Sequence, residues 1–520
     1  MSIYTTPLSK PACFVITILS IMISASFTGC SKDESSITET VTGGTSSSGT
    51  SVVNSTTVTS GTAEGSKETG ANADDLLENS TFSSVVVINF GATVSITNPL
   101  ASAGVTVTES GGDVTVTSTA TGVEYQLSGT TTNGSFKVYS DKKFKMTLNG
   151  VAISNNDGPA INIQSSKRAF IVVADNTTNT LADGAAYATS TEDMKGAFFS
   201  EGQLIFSGSG ALAIKGNYKH GIASDDYVRV AAGNITVLGA VSDGIHANDA
   251  IIIDGGTLKI TAANDGIQAD EGYVIVNDGT ITLNTVDKGI SAAYEGTDAT
   301  VLPYVTINGG TIAVTATKGE GIESKGVLTI NKGTITVTSY DDSINAATAI
   351  YINGGSIYVN ASNNDAIDSN GTLTVTGGTV IAVGAGSPEA SFDCDARTFK
   401  VTGGLIVGIG GATSGTTNSV STIRSLVMGS GDANSIVHIE AADGTEALTF
   451  LAPKTFSTLI YASSKLAAST AYTIYKGGSV TDGTTFNGLY LTGTYNKGTA
   501  GTTFTTTNLL TQTGGSISRN

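Results

Sequence analysis

Acidic side chains recur at two fixed offsets from a series of isoleucines in the middle of the chain. Two residues before each isoleucine stand Asp243, Asp265, Lys288, Glu320, Asp342 and Asp365. One residue after it stand His246, Gln268, Ser291, Glu323, Asn345 and Asp368. If the isoleucines lie on neighbouring strands, the members of each set are about 5 Å apart, and unit charges at that distance repel by roughly 1 kcal/mol in water. Such a stack needs either a bound cation or the charge of Lys288.

Calcium is the cation that these residue types favour, because it prefers hard oxygen ligands in loosely organised sites. The predicted ligands are Asp243, Asp265, Glu320, Glu323, Asp341, Asp342, Asn345, Asn364, Asp365 and Asp368. Zinc is disfavoured, since His220, His246 and His438 form no ligand set with a cysteine. The alternative is that Asp-Gly turns simply form a solvated face of a chain with net charge −18. Asp393 to Asp395 form either a further acidic site or an exposed turn.

Lys288 is the only basic residue of the acidic set, and it admits two roles. As a general base beside calcium it would remove a proton from a uronic acid polymer. Its acidic neighbours would raise its pKa, however, which favours a salt bridge over catalysis. The chain has no tryptophan, so Tyr294 and Tyr340, close to the acidic turns, are the candidates for stacking on a sugar ring. Tyr351 and Tyr358 fit better as core or ladder residues.

A repeat of 22 or 23 residues positions these side chains. The isoleucine marker recurs at Ile222, Ile245, Ile267, Ile290, Ile322, Ile344 and Ile367, and one repeat carries an insertion of about nine residues. Each repeat reads as three short strands with period-2 alternation, joined by corners containing Asn or Asp followed by Gly. Stacked Asn side chains at these corners can bond to one another. The pattern predicts an all-β, right-handed parallel β-helix of some fourteen coils between Thr81 and Gly410.

The two ends of the chain differ from the repeats. Residues 1–30 resemble a lipoprotein signal peptide, in which an apolar run ends in small residues before Cys30, the expected lipidation site. Residues 31–80, rich in Ser, Thr and Gly, predict a disordered tether. Residues 411–520 predict a small C-terminal β-rich unit docked on the last coil. After signal removal Cys394 is the only thiol, so no intramolecular disulfide is expected.

Several motifs together resemble the bacterial carbohydrate-binding β-helix family, which is related in fold to calcium-dependent pectate lyases. The motifs are Tyr294-Glu295, Glu320 to Ser324, Asp341 to Ala347, Asp368 to Gly371, Thr376 to Val380, Val437 to Glu440 and Ala471 to Gly478. The resemblance covers roughly residues 140 to 520. It implies a surface protein that binds cellulosic or acidic plant polysaccharide, with calcium held by the Asp-Asp turns.

Three functions are therefore open. We expect non-catalytic polysaccharide binding with calcium as the cofactor; the alternatives are a calcium-dependent polysaccharide lyase using Lys288 and a structural stalk or adhesin without a sugar site. We further expect a monomeric outer-membrane lipoprotein at the cell surface, which touches the membrane only through its lipid and binds no nucleic acid.

Overall fold

Parallel strands dominate the structure, a computed structural model that describes residues 49–54, 58–294 and 296–518. The helices of the described residues are two short 3₁₀ turns, Ala73–Asp75 and Leu77–Asn79. Successive coils pair in parallel along three ladders, which confirms the predicted parallel β-helix. In the described part of the chain no helix is long and apolar enough to cross a membrane.

Each coil contributes one strand to each ladder. The first ladder contains Ser84–Phe90, Val123–Thr131, Phe144–Ser154, Ala169–Val173, Leu204–Gly208, Tyr227–Val230, Ala250–Ile253, Tyr273–Val276, Tyr304–Ile307, Val327–Ile330, Ala349–Ile352, Thr372–Val375 and Phe399–Val401, with Ser95–Thr97 paired to its first strand. The second ladder branches from Phe144–Ser154 and contains Thr178–Ala182, Ala211–Gly216, Asn234–Ala240, Thr257–Ala262, Thr280–Thr285, Thr311–Ala316, Thr334–Ser339, Ser356–Ala361, Thr379–Val383 and Leu405–Gly410.

The third ladder is a sheet of 13 strands, so the solenoid has about one coil fewer than the sequence predicts. Its strands are Val105–Ser110, Asp113–Ser118, Phe136–Ser140, Ile161–Gln164, Gly196–Ser200, His220–Ser224, Ile245–Ala247, Ile267–Ala269, Ile290–Ala292, Ile322–Ser324, Ile344–Ala346, Ile367–Ser369 and Phe392–Cys394. The marker isoleucines lie in register along this ladder and are completely buried. Because the isoleucines of successive coils are in register, the polar residues at fixed sequence offsets from them are aligned between coils as well.

Asparagines at the corner between the first and second ladders bond to one another along the axis, as the sequence predicts. Asn308 Nδ2 donates to Asn277 Oδ1, Asn331 Nδ2 to Asn308 Oδ1, and Asn353 Nδ2 to Asn331 Oδ1, each at 2.8 Å. The glycine two residues after each asparagine has positive φ, for example 113° at Gly333, which favours a residue without Cβ. This asparagine ladder leaves a second Nδ2 hydrogen on each side chain for another acceptor.

Residues 58–75, which we call the strap, supply those acceptors. Nδ2 of Asn353 donates to Glu64 O at 2.7 Å, that of Asn331 to Ser66 O at 2.9 Å, and that of Asn308 to Glu68 O at 2.9 Å. Residues 31–80 were predicted to be a disordered tether, but in its described part Thr50–Asn54 forms a strand and the strap is held by these bonds. Polar composition did not prevent order because backbone carbonyls, rather than apolar side chains, dock the strap.

The asparagine ladder should contribute measurably to stability. Asn331→Asp removes the donors to Ser66 O and Asn308 Oδ1 and places a carboxylate beside two carbonyl oxygens. We expect the free energy of unfolding to fall by about 1–3 kcal/mol, measured by chemical denaturation. Asn508→Asp, at an exposed position, is the control and should change little. Equal stability of the two variants would contradict a stabilising role for the ladder.

The chain beyond Gly410 supplies all but one strand of a separate antiparallel sheet. It contains Thr50–Asn54, Leu489–Asn496, Glu446–Leu451, Ile436–Ala441, Ala471–Lys476, Thr499–Thr505 and Ser479–Phe486. Thr458–Ala462 pairs antiparallel with Leu405–Gly410 of the last coil and with Ser425–Met428, which in turn pairs with Leu510–Gln512. The edge of the second ladder is thus covered by a strand rather than left open.

Candidate functional site

Two columns of side chains line the corner between the second and third ladders. The corner column lies two residues before each buried isoleucine and comprises His220, Asp243, Asp265, Lys288, Glu320, Asp342 and Asp365. The strand column lies one residue after it and comprises His246, Gln268, Ser291, Glu323, Asn345, Asp368 and Asp393. Backbone pairing sets the spacing along both columns, so chemistry at the corner depends on which residue each coil supplies.

Carboxylates of the corner column hold the backbone of the next coil. Oδ1 of Asp243 accepts the N–H of Asp265 at 3.1 Å, Oδ1 of Asp265 that of Lys288 at 2.8 Å, and Oδ1 of Asp342 that of Asp365 at 3.0 Å. Asp365 continues the pattern by accepting from the N–H of Ala390. One oxygen of each aspartate therefore has a structural role. The second oxygen of Asp243 contacts His246 and that of Asp342 contacts Asn345, both in the strand column.

An acidic cluster forms where the last coils bring four aspartates together: Asp342, Asp365, Asp368 and Asp393. One carboxylate oxygen each of Asp365, Asp368 and Asp393 lies within 4.8 Å of the others. Burial, and then the charges of Asp368 and Asp365, raise the pKa of Asp342 to about 8. Ionisation of Asp342 beside Asp365 and Asp368 is therefore opposed, and a bound cation would relieve that cost.

The donor set of the acidic cluster fits calcium. All its donors are carboxylate oxygens from three successive coils, a flexible arrangement that suits the variable coordination of Ca²⁺. Asn345 lies between two of them, donating from Nδ2 to Asp342 Oδ2 at 3.1 Å and to Asp368 Oδ2 at 2.9 Å. Asn345 was predicted as an oxygen ligand, but its amide nitrogen rather than its oxygen faces the carboxylates. Its role is to position them.

Other predicted ligands lie outside the acidic cluster. Asp341 and Asn364 form a pair of their own, with Asn364 Nδ2 donating to Asp341 Oδ1 at 2.6 Å. Conversely, the structure places Asp393 in the acidic cluster. The sequence did not decide whether this residue belongs to an acidic site or to an exposed turn. Asp393 falls in register with Asp368 because Phe392 takes the place of the marker isoleucine.

Lys288 is surrounded by acids. Its Nζ lies 3.7 Å from Asp287, 3.9 Å from Glu320 and 3.7 Å from Glu323. Burial by itself would lower the pKa of Lys288, but the carboxylates, led by Glu323 and Glu320, outweigh it and raise the pKa above its ordinary value. An ammonium held in its protonated form is a poor general base. Near Lys288, burial raises the pKa of Asp265 to about 7 despite the backbone N–H it accepts.

Two histidines converge on Asp243, an arrangement that the sequence analysis missed. Nδ1 of His220 and Nδ1 of His246 each lie 3.1 Å from Asp243 Oδ2, and the two rings stack at 4.2 Å. Burial lowers the pKa of His220 to about 4, although Asp243 opposes the shift. The signal was present in the repeat, because His220 stands two residues before Ile222 and so belongs to the corner column.

The sequence of this chain matches those of known proteins. A model of the family of carbohydrate-binding domain-containing proteins matches residues 110–363 and 304–484, well over half of the chain. The chain belongs to this family. A carbohydrate-binding domain-containing protein of Acetivibrio thermocellus is 31% identical over 117 residues, which are 22% of this chain and 41% of that protein. The match thus spans about two fifths of the relative's length.

A solved structure also resembles this member of the carbohydrate-binding family. It is described as the polysaccharide lyase-like protein from C. thermocellum, in a gadolinium derivative. The TM-score is 0.34 with 21% sequence identity, and the alignment covers 56% of this chain and 96% of the other.

Aromatic rings matter in a carbohydrate-binding family because they can stack on pyranose faces. Tyr340 is 47% exposed and directly precedes Asp341 at the corner. Tyr294 is half-buried, and its hydroxyl accepts the N–H of Asp298 at 2.9 Å. Tyr218, which the sequence did not single out, is 43% exposed and stacks on Tyr187 at 4.1 Å. Of the two predicted platforms, Tyr340 presents more surface. Cys30, the predicted lipidation site, lies outside the described residues.

Proposed function

We propose that this protein binds cellulosic or acidic, pectin-like polysaccharide without degrading it, and that calcium at the acidic cluster attaches the acidic polymers. The observation that carries the proposal is the convergence of Asp342, Asp365, Asp368 and Asp393, in which ionisation of Asp342 is strongly opposed. Membership of a carbohydrate-binding family supports polysaccharide as the ligand. We propose further that the protein acts as a monomer.

Calcium has a specific task in this proposal. A chain with net charge −18 repels a polyuronate. A divalent ion shared between protein carboxylates and polymer carboxylates would turn that repulsion into attraction. Asp365, Asp368 and Asp393 would hold the ion, while Asn345, through its hydrogen bonds, would keep Asp342 and Asp368 in place. A neutral glucan would instead depend on Tyr340, and Tyr294, as stacking surfaces.

The alternative is a lyase in which Lys288 removes the proton next to the uronate carboxylate. Three carboxylates within 4 Å of Nζ and the raised pKa of Lys288 weigh against this role. A stalk without a sugar site is the second alternative. The buried, mutually repelling carboxylates weigh against it, because a merely solvated face would not need to bury Asp342 and Asp365.

Polymer retention provides the test. We expect the protein to be retarded by polygalacturonate in affinity electrophoresis with calcium, and the retardation to be lost with a chelator. Asp365→Asn with Asp368→Asn should weaken binding at least about tenfold, because it removes two ligands of the proposed ion. Asp74→Asn with Glu68→Gln, at two exposed acids of the strap, is the charge-matched control. Retention that ignores both the chelator and the double variant would contradict the calcium bridge.

The same protein preparation tests the lyase alternative. Incubation with polygalacturonate and calcium at alkaline pH should give no rise in ultraviolet absorbance from unsaturated uronate ends. A steady rise that Lys288→Ala abolishes would establish the lyase instead. No binding to any acidic or neutral polysaccharide, with calcium present, would favour the stalk.

We propose that the protein is an outer-membrane lipoprotein exposed at the cell surface. The support is the sequence around Cys30, which follows an apolar run and small residues. Labelled fatty acid should be incorporated by cells producing the full chain and not by cells producing Cys30→Ala. Incorporation by both would contradict lipidation at this residue.

A further inference from the structure

Three potential metal ligands meet at the corner of the coils around residue 243, several coils away from the acidic cluster. They are His220, Asp243 and His246, and the three residues are 1%, 1% and 6% exposed. One donor atom from each lies within 4.8 Å of the others, and each imidazole Nδ1 is 3.1 Å from Asp243 Oδ2. Ligand atoms on a tetrahedral zinc ion lie about 3.3 Å apart, given bonds of about 2.0–2.1 Å. The spacing found is close to that.

From this geometry we infer that His220, Asp243 and His246 form a binding site for one divalent transition ion of the zinc class. The inference is independent of the proposed calcium bridge, because none of these residues belongs to the acidic cluster.

Hydrogen bonds around the site orient its donors toward one point. Oδ1 of Asp243 accepts from Asn264 Nδ2 at 2.8 Å and from the Asp265 N–H at 3.1 Å, which leaves Oδ2 toward the histidines. Nε2 of His246 lies 3.4 Å from Asp270 Oδ2. A carboxylate behind the second nitrogen of a metal-bound histidine is the usual outer-sphere arrangement, and it fixes Nδ1 as the metal-binding nitrogen.

His220 adds a second argument. The backbone nitrogen of Asp243 lies 3.3 Å from His220 Nδ1. The same imidazole nitrogen lies 3.1 Å from Asp243 Oδ2, so either a proton or a metal ion must lie between these two atoms. Nε2 of His220 is buried and has no hydrogen-bond partner among the described residues. Burial of an imidazole with an unpaired nitrogen is costly, and a metal bond at Nδ1 would offset that cost.

The ligand types select the metal. Two imidazoles and one carboxylate suit zinc and its neighbours in the transition series, whereas calcium prefers oxygen ligands alone. Three protein ligands leave a fourth position for water. Since His220 comes from one coil and Asp243 and His246 from the next, the ion would cross-link neighbouring coils of the solenoid.

The experiment uses the untagged mature protein, so that no added histidines compete. After incubation with Zn²⁺ and dialysis, we expect one zinc per chain, an increased melting temperature, and no corresponding retention of Ca²⁺ at this site. Co²⁺ in place of zinc should give the intense visible absorption of a tetrahedral site in the unaltered protein, which needs no variant to fold. Added Zn²⁺ should displace that absorption.

Variants locate the ion. His246→Gln should abolish zinc retention, and Asp270→Asn should weaken zinc binding by about 10–100-fold. Glu271→Gln, at the exposed neighbouring acid, is the matched control and should leave zinc binding unchanged. Asp365→Asn with Asp368→Asn should also leave it unchanged. The inference is overturned if the unaltered protein retains no zinc and gives no tetrahedral Co²⁺ spectrum, or if His246→Gln binds zinc as well as the unaltered protein.

Discussion

Replacing Asp75 with asparagine is expected to lower the free energy of unfolding by about 3–5 kcal/mol, the usual cost of removing one partner from a buried ion pair. Asp75 ends the strap and is 4% exposed. Its Oδ1 accepts from Arg168 Nε at 2.7 Å and from the Tyr227 hydroxyl at 2.5 Å, and its Oδ2 lies 3.2 Å from an Arg229 nitrogen. Asparagine would leave the partly buried Arg168 without its carboxylate partner and the buried Arg229 with Asp254 alone.

Chemical denaturation of Asp75→Asn beside Asp74→Asn measures the effect. Asp74 is the neighbouring acid and is exposed, so its variant makes the same charge change and should alter stability by less than about 0.5 kcal/mol. Limited proteolysis would add a local readout, since a loosened strap should be cut before the coils are. If both variants unfold at the same denaturant concentration, the strap's end is not anchored by Asp75.

Calcium should stabilise the protein, and more so as the pH rises. In chelator, the pKa of Asp342 is about 8 in the folded protein against an ordinary value of 3.8. The folded state therefore binds more protons than the unfolded state between these values, so stability falls as the pH rises toward 8. Calcium at a hundredfold excess over its Kd should add about 2.7 kcal/mol. The gain should be largest where Asp342 would otherwise be forced to ionise.

Thermal unfolding from pH 6.5 to 8.5, with calcium and with chelator, checks this prediction. The window avoids the titration of His220 and His438, whose pKa values burial lowers to about 4, because the stability that they contribute is lost only as the pH falls below 6.5. Asp342→Asn should flatten the pH dependence in chelator, while Asp365→Asn with Asp368→Asn should remove the response to calcium. Asp265, whose pKa is about 7, contributes a slope common to all these proteins. Identical melting temperatures with calcium and with chelator would contradict calcium binding at the acidic cluster.

The repeat predicts much of this structure because a solenoid converts a sequence offset into a position in space. Once the isoleucines are in register, Asp342 must lie beside Asp365, and Asn331 beside Asn353. The offset no longer predicts a position in space where the marker residue is not isoleucine. Phe392 replaces isoleucine after a longer coil, so Asp393 could not be placed with the acidic cluster from sequence alone.

Two features needed the structure for a different reason. The strap meets the asparagine ladder through its backbone carbonyls, which every residue possesses, so these contacts leave no signal in the sequence. The histidine pair is divided between the two columns, and only the geometry of the corner brings both Nδ1 atoms to one oxygen. In both cases the contact joins groups that do not share one position of the repeat, so the repeat alone does not predict it.

The strap also bears on the order in which this chain can fold. Coils pair with their immediate neighbours and can form one after another during synthesis. The strap is synthesised before any coil, yet Glu64 finds Asn353 and Lys400 at sequence separations of 289 and 336. Contacts of such long range form late. A segment made before the coils is therefore completed only after them, and a fully seated strap reports that every coil beneath it has formed.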